Sequence, residues 1–176
     1  MSRLLSTFGS IGLIMAAATA QAYDPENTLY MDLDHGRVVV EMLPDKAPRH
    51  VTRIKELTRD GFYDGVVFHR VIDGFMAQTG DPTGTGGGGS GQKLEAEFND
   101  TQFGRGTVGM ARTQDPNSAD SQFFICFNDC RHLNGQYTAW GRVVDGMDHV
   151  DALTRGEPPR NPDEIQQLRV AADVNE

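Results

Sequence analysis

Between Thr28 and Met42 apolar and polar residues alternate: Leu29, Met31 and Leu33 share one face, His35-Gly36 makes a turn, and Val38, Val39 and Val40 follow. Period-two alternation on both sides of a turn predicts a β-hairpin. The rhythm then changes. Pro44 and Pro48 bracket a turn, after which Val51, Ile54 and Leu57 recur at helical spacing as far as Asp60-Gly61, which predicts one amphipathic helix with a defined stop. Two short β-rich segments follow, Val66 to Phe68 and Val71 to Met76, and then a glycine tract from Gly80 to Gly91 that reads as a long, mobile surface loop. Gly106 to Ala111 and Ser121 to Phe127 are again β-rich, separated by a polar connector, Arg112 to Asp120, that is expected to be exposed. Thr138 to Val143 predicts a further strand and Asp148 to Arg155 a short helix. The proline-rich link Glu157 to Pro162 leads to a last strand, Ile165 to Ala171. No internal repeat interrupts this series. Many short strands with only two helices favour a mainly β, closed antiparallel sheet over a βαβ arrangement.

The first two dozen residues obey a different pattern. Arg3 is followed by a largely apolar run from Leu4 to Ala18, no acidic residue precedes Asp24, and Ala20-Gln21-Ala22 has the small-x-small form cut by signal peptidase. A spanning helix needs about 20 apolar residues, and Ser6, Thr7 and Ser10 interrupt this run. The expectation is a signal peptide over residues 1–22, cleaved before Tyr23, and one soluble domain over residues 23–176 that is not held at a membrane after cleavage. The compartment expected is the bacterial periplasm. A length of 176 residues suits a single domain with its own core. With 16 Lys and Arg against 25 Asp and Glu, the net charge of −9 repels a phosphate backbone and argues against nucleic acid as a partner.

Several candidate chemistries fall away on inspection. Gly84 to Gly89 formally fits G-x-G-x-x-G, but no strand leads into it, no helix follows it, and no P-loop lysine is present. His35, His50, His69, His132 and His149 lack metal-ligand spacing, and Ser90 and Ser121 lack a nucleophile-elbow setting. Glu95 and Glu97 lie in a polar stretch where solvated charge is the simpler reading. Cys126 and Cys130 are too few for a zinc site; Cys126 reads as a small buried hydrophobe, with a disulfide as the alternative in an oxidising compartment. No metal or organic cofactor is implied.

What remains is Phe68-His69-Arg70-Val71-Ile72-Asp73-Gly74-Phe75-Met76-Ala77-Gln78-Thr79-Gly80-Asp81, with two later blocks, Ser121 to Ile125 and Leu133 to Gly141. In order and spacing these resemble the cyclophilin family of peptidyl-prolyl cis-trans isomerases, over about Leu29 to Val174. The resemblance implies a closed eight-stranded antiparallel β-barrel capped by two α-helices, and proline-containing polypeptides as substrates, here exported proteins still folding.

Rotation about an X-Pro bond breaks no covalent bond but opposes partial double-bond character, and uncatalysed it takes tens to hundreds of seconds. As the bond twists, the prolyl nitrogen recovers a lone pair, so a fixed cationic donor stabilises the transition state over the planar ground state. Arg70 suits that role, and Gln78, which can donate and accept, suits holding Arg70 or the substrate carbonyl. The resemblance assigns Phe75, Met76, Phe124 and Leu133 to an apolar seat for the proline ring, Gln122 to the polar network, and the backbone of Ala111 and Arg112 to pairing with substrate. On one regular strand Arg70, Met76 and Gln78 would share a face and Phe75 would point away; seating both Phe75 and Met76 in the pocket requires a bend near Gly74. Tyr137 stands where the family's animal-type members place a pocket histidine, and His132 where a tryptophan often helps bind cyclosporin, so cyclosporin binding is expected to be weak. Trp140 is expected in the core. The rival reading is a module that grips proline segments without turnover, against which the joint presence of Arg70, Phe75, Met76, Gln78 and Phe124 argues.

Overall fold

The expected opening hairpin forms: β1 (Thr28–Leu33) pairs antiparallel with β2 (Gly36–Met42), Met31 opposite Val38, and the alternating residues are buried. The computed structural model describes residues 23–174, so segment 1–22 with its expected cleavage site lies outside the described residues. After β2 the chain forms α1 (Pro48–Arg59), then β3 (Arg70–Ile72), β4 (Met76–Thr79), β5 (Thr107–Met110), β6 (Phe123–Cys126), β7 (Ala139–Asp145), α2 (Met147–Asp151) and β8 (Gln167–Val170).

All eight strands join one antiparallel sheet in the order β3-β4-β6-β5-β7-β2-β1-β8. The sheet curls, but β3 and β8 do not pair along their length. Residues just before them span the seam: Val67 bridges Glu164, and the Ile165 amide donates to the Val66 carbonyl at 3.0 Å. Val66 to Phe68, expected as a strand, is therefore a single bridge within that seam. The segment from Val71 to Met76 is likewise not one strand but the two arms of a hairpin, turned at Asp73-Gly74, where Gly74 has φ +71° and the Phe75 amide donates to the Ile72 carbonyl at 3.1 Å. Only glycine takes that φ without strain.

Alternation along β4 and β6 divides the interior. Ala77, Phe123 and Ile125 join the main core with Val51, Ile54 and Leu57 of α1, Val150 of α2, and Trp140. Trp140 is 1% exposed and meets the Phe123 ring edge-on at 5.5 Å. Met76, Phe124 and Cys126, on the other face, form a second apolar cluster with Phe103, Cys130 and Leu133. Each large side chain so buried contributes about 2 kcal/mol of transfer free energy.

Glu97 overturns its sequence reading. It is not a solvated charge: its side chain is 9% exposed, and it closes the N-terminus of α1, which Ala47 cannot cap. Its carboxylate accepts from the Arg49 and His50 amides at 3.1 and 3.0 Å and from the His50 ring at 2.6 Å. The helix amides that lack intrahelical partners are thereby satisfied.

Candidate active site

The second apolar cluster is the floor of a surface depression, and the β3–β4 hairpin supplies its polar wall. Arg70 and Gln78 are register partners across that hairpin, so both project from the same face, and Met76 joins them two residues along β4. The Gly74 turn brings Phe75 to the rim. It lies beside the exposed His132, with the rings tilted at 39° and 5.3 Å apart.

A cavity of about 230 Å³ opens here, lined by Arg70, Phe75, Met76, Gln78, Ala111, Arg112, Phe124, Leu133 and Tyr137. Nine of the ten residues expected at the site thus meet around one cavity. The tenth, Gln122, lies in an adjoining cavity of about 420 Å³ that shares Gln78, Ala111 and Arg112 with the first. Phe124 is 4% exposed and sits between Phe103, stacked at 5.8 Å, and Tyr137, edge-on at 5.7 Å. Behind them Gly109 leaves space for the rings: a Cβ there would stand 2.6 Å from both Phe103 and Phe124.

The polar wall is one chain of hydrogen bonds. Gln122 Nε2 donates to the Gly86 and Gly88 carbonyls at 3.0 and 2.8 Å. Gln78 Nε2 donates to Gln122 Oε1 at 2.9 Å, and Arg70 Nη1 donates to Gln78 Oε1 at 3.5 Å. Arg70 Nε donates to Glu157 Oε1 at 2.6 Å. Among the described residues Arg70 Nη2 has no protein partner, which leaves charged donors free at the cavity wall.

The glycine tract is not a loose loop. Asp81, 0% exposed, accepts from the Thr83, Gly86 and Gly88 amides at 2.8, 2.7 and 3.0 Å. Burial would raise its pKa, but bonds from Gly88, Thr83 and Gly86 outweigh it and hold the carboxyl at about 2. Asp120 accepts from Ser90 and Gly91 in the same way. Two carboxylates therefore set the carbonyls on which Gln122 rests. The connector after β5 is only partly exposed, since Ser118 and Ala119 are buried and Ala119 bridges Leu94.

Arg112 uses its side chain to brace the rim: it donates to the Gln136 carbonyl at 2.7 and 3.0 Å and lies over the Tyr137 ring at 4.5 Å. Its own backbone N–H and C=O have no partner among the described residues, beyond the point where Ala111 donates to the Gln122 carbonyl at 2.9 Å. That leaves a stretch of unpaired backbone just beyond the end of β5. Cys126 and Cys130 are buried free thiols beneath the floor, with Cys130 Sγ donating to the Phe75 carbonyl at 3.5 Å. Burial pushes both thiols up, and the neighbouring Cys130 pushes Cys126 further.

Two residues at the site carried no sequence signal. Phe103 lies in a stretch without strand periodicity, and Glu157 sits in a proline-rich link; each reaches the site through a contact remote in sequence. Among the described residues no three His, Cys, Asp or Glu side chains are grouped to hold a metal ion.

Comparison with known proteins agrees with this geometry. Residues 28–171 match the family described as "Cyclophilin type peptidyl-prolyl cis-trans isomerase/CLD". A Brucella suis protein named "Probable peptidyl-prolyl cis-trans isomerase" is 51% identical over 179 residues, spanning 92% of this chain and 91% of that one. The crystal structure of a Hirschia baltica cyclophilin superposes with a TM-score of 0.80 at 31% identity, over 87% of this chain and 77% of that one. A Cryptosporidium parvum cyclophilin-type isomerase, solved in the presence of the dipeptide ala-pro, superposes with a TM-score of 0.76 at 28% identity, over 84% of this chain and 99% of that one.

Proposed function

The chain belongs to the cyclophilin-type peptidyl-prolyl cis-trans isomerase family and is an isomerase of X-Pro bonds, and we propose that Arg70 drives the rotation while exported proteins in the periplasm are its substrates. The observation that carries the mechanism is the Arg70 guanidinium, held by Gln78 and Glu157 at the polar wall of a cavity with an apolar floor, its Nη2 donors unpartnered among the described residues.

The proline ring sits on Met76, Phe124 and Leu133, walled by Phe75 and Tyr137, and its burial gives affinity without favouring either isomer. The residue before proline lies along the unpaired backbone at Arg112, whose N–H and C=O hold the peptide extended. With both sides of the X-Pro bond held, rotation leaves the nitrogen pyramidal, and an Arg70 N–H donates to the emerging lone pair. An acceleration of about 10⁴- to 10⁵-fold needs only about 6 kcal/mol. One charge-assisted hydrogen bond made in the transition state, with restraint of the substrate and exclusion of water, is of that order.

Export is supported by the basic start, the apolar run and Ala20-Gln21-Ala22. Fractionation with N-terminal sequencing tests it: a periplasmic product beginning at Tyr23 is expected, and a product retaining residues 1–22 in the cytoplasm overturns it.

The mechanism is tested by protease-coupled isomerisation of a short X-Pro peptide by wild type and by Arg70→Ala. Loss of most of the acceleration in a variant that melts like wild type is expected. An Arg70→Ala enzyme that retains its rate would remove the arginine from the mechanism.

A further inference from the structure

Arg70 alone gives its donors no direction, because a guanidinium on a flexible stem samples many rotamers unless neighbours restrain it. Gln78 holds one side at 3.5 Å, a long contact. The short one is to Glu157, whose Oε1 lies 2.6 Å from Arg70 Nε.

The segment carrying Glu157 is tied down through the three residues that precede it. Gly156 bridges Val71, the residue next to Arg70, with both amide-to-carbonyl bonds at 2.8 Å, which continues the sheet one step beyond the free edge of β3. Arg155 donates to the Asp151 and Leu153 carbonyls at 2.9 and 2.6 Å and to Asp73 at 3.1 Å, and lies over the Phe127 ring at 4.2 Å. The Thr154 amide donates to Asp163 at 2.6 Å. Glu157 is thereby delivered beside Arg70 by backbone pairing rather than by a chance encounter of two surface side chains.

We infer that Glu157 is the positioning residue for the catalytic arginine: its carboxylate holds Nε so that the guanidinium plane turns the remaining Nη donors into the cavity. This rests on the reading of Arg70 given above. With Nε occupied by Glu157 and one Nη1 hydrogen by Gln78, both Nη2 hydrogens and one on Nη1 remain for the reaction. The effect belongs to the transition state, since the planar ground-state amide nitrogen offers Arg70 no lone pair. The two side chains are 42% and 53% exposed, so removing Glu157 costs the fold little.

The test is a set of variants, Glu157→Ala, Glu157→Gln, Arg70→Ala and the Ala–Ala double variant, assayed by NMR exchange on an Ala-Pro peptide, which yields Kd and the on-enzyme rate separately. Glu157→Ala is expected to lower the on-enzyme rate about tenfold with Kd within twofold of wild type and an unchanged melting temperature. Glu157→Gln, which keeps an acceptor oxygen, is expected to recover most of the rate. In the Arg70→Ala background, Glu157→Ala is expected to change nothing further. A Glu157→Ala enzyme as fast as wild type, a loss confined to Kd, or a further loss in the Arg70→Ala background would each overturn the inference. Should Arg70→Ala itself retain the rate, the mechanism fails instead, and that result is read independently of Glu157.

Discussion

Arg70 and Gln78 stand opposite one another across the β3–β4 hairpin, and the Gln78 amide faces the guanidinium with its oxygen and Gln122 with its nitrogen. That double duty needs an amide: a carboxylate accepts from Arg70 but has no donor for Gln122 Oε1. Gln78→Ala is expected to lower kcat/KM about tenfold, because Glu157 still holds Arg70 from the other side. Gln78→Glu is not expected to recover it. Peptide isomerisation rates, with melting curves as the fold control, decide the matter; full activity in Gln78→Glu would show that accepting from Arg70 is the side chain's whole task.

Gly109 makes a second prediction at the back of the pocket. A methyl group there meets the Phe103 and Phe124 rings at 2.6 Å, closer than real carbon contacts come. Both rings are buried, so Phe124 has only the cavity to move into. Gly109→Ala is therefore expected to raise KM several-fold and to cost about 1–3 kcal/mol of stability. Urea unfolding and peptide titration measure the two effects, and unchanged peptide affinity would mean that Phe124 does not floor the proline site.

The parts of this molecule that were legible in sequence are those whose signals are local. Leu29, Met31 and Leu33 announce a strand because burial on one face imposes period two, and Val51, Ile54 and Leu57 announce α1 in the same way. The block around Arg70 and Gln78 was found through its resemblance to a family, and so were the remaining pocket residues. Periodicity alone misdrew it: the run from Val71 to Met76 is apolar enough to hide a turn at Asp73-Gly74, so Arg70, Met76 and Gln78 share a face across a hairpin rather than along one strand. Glu97 looked like solvated charge because its work, capping α1 from 48 residues away, leaves no mark on its neighbours. Glu157 and Phe103 carry no local signal for the same reason, since they reach Arg70 and Phe124 across long stretches of chain.

The two thiols should be silent in the folded protein. Cys126 and Cys130 are each 0% exposed, and burial raises the pKa of both, which lowers the thiolate fraction that reacts. A disulfide-exchange reagent is expected to label neither at neutral pH until denaturant is added, and then both. Rapid labelling of the native protein would mean that the floor of the site opens readily.

Cyclosporin should inhibit weakly. His132 is exposed against the Phe75 ring, in the place where the family often carries a tryptophan, and an imidazole offers less apolar area than an indole. His132→Trp is expected to tighten inhibition about tenfold, worth ~1.4 kcal/mol, while peptide isomerisation changes little. Inhibition curves on the two proteins test this; equal inhibition constants would place the limitation at Tyr137 instead.

Acid should loosen the glycine tract, because Asp81 is one of the two carboxylates that organise it. Its folded pKa, about 2, lies below the ordinary 3.8, so the stability it confers is fully present above about pH 4 and is lost as pH falls through 2. A shift of that size corresponds to about 2 kcal/mol. Asp81→Asn offers one acceptor oxygen where the carboxylate serves the Thr83, Gly86 and Gly88 amides with two, so it should be less stable than wild type at pH 6. Other carboxylates titrate in the same range, which is why the readout is the difference between the two proteins rather than either curve alone. Urea midpoints measured from pH 6 to pH 2 are expected to converge as the pH falls. Because Gln122 rests on the Gly86 and Gly88 carbonyls, Asp81→Asn should also lose isomerase activity at pH 6 while the pocket residues themselves are intact. Stability curves that stay parallel down to pH 2 would mean that Asp81 is not the group whose ionisation holds the tract in place.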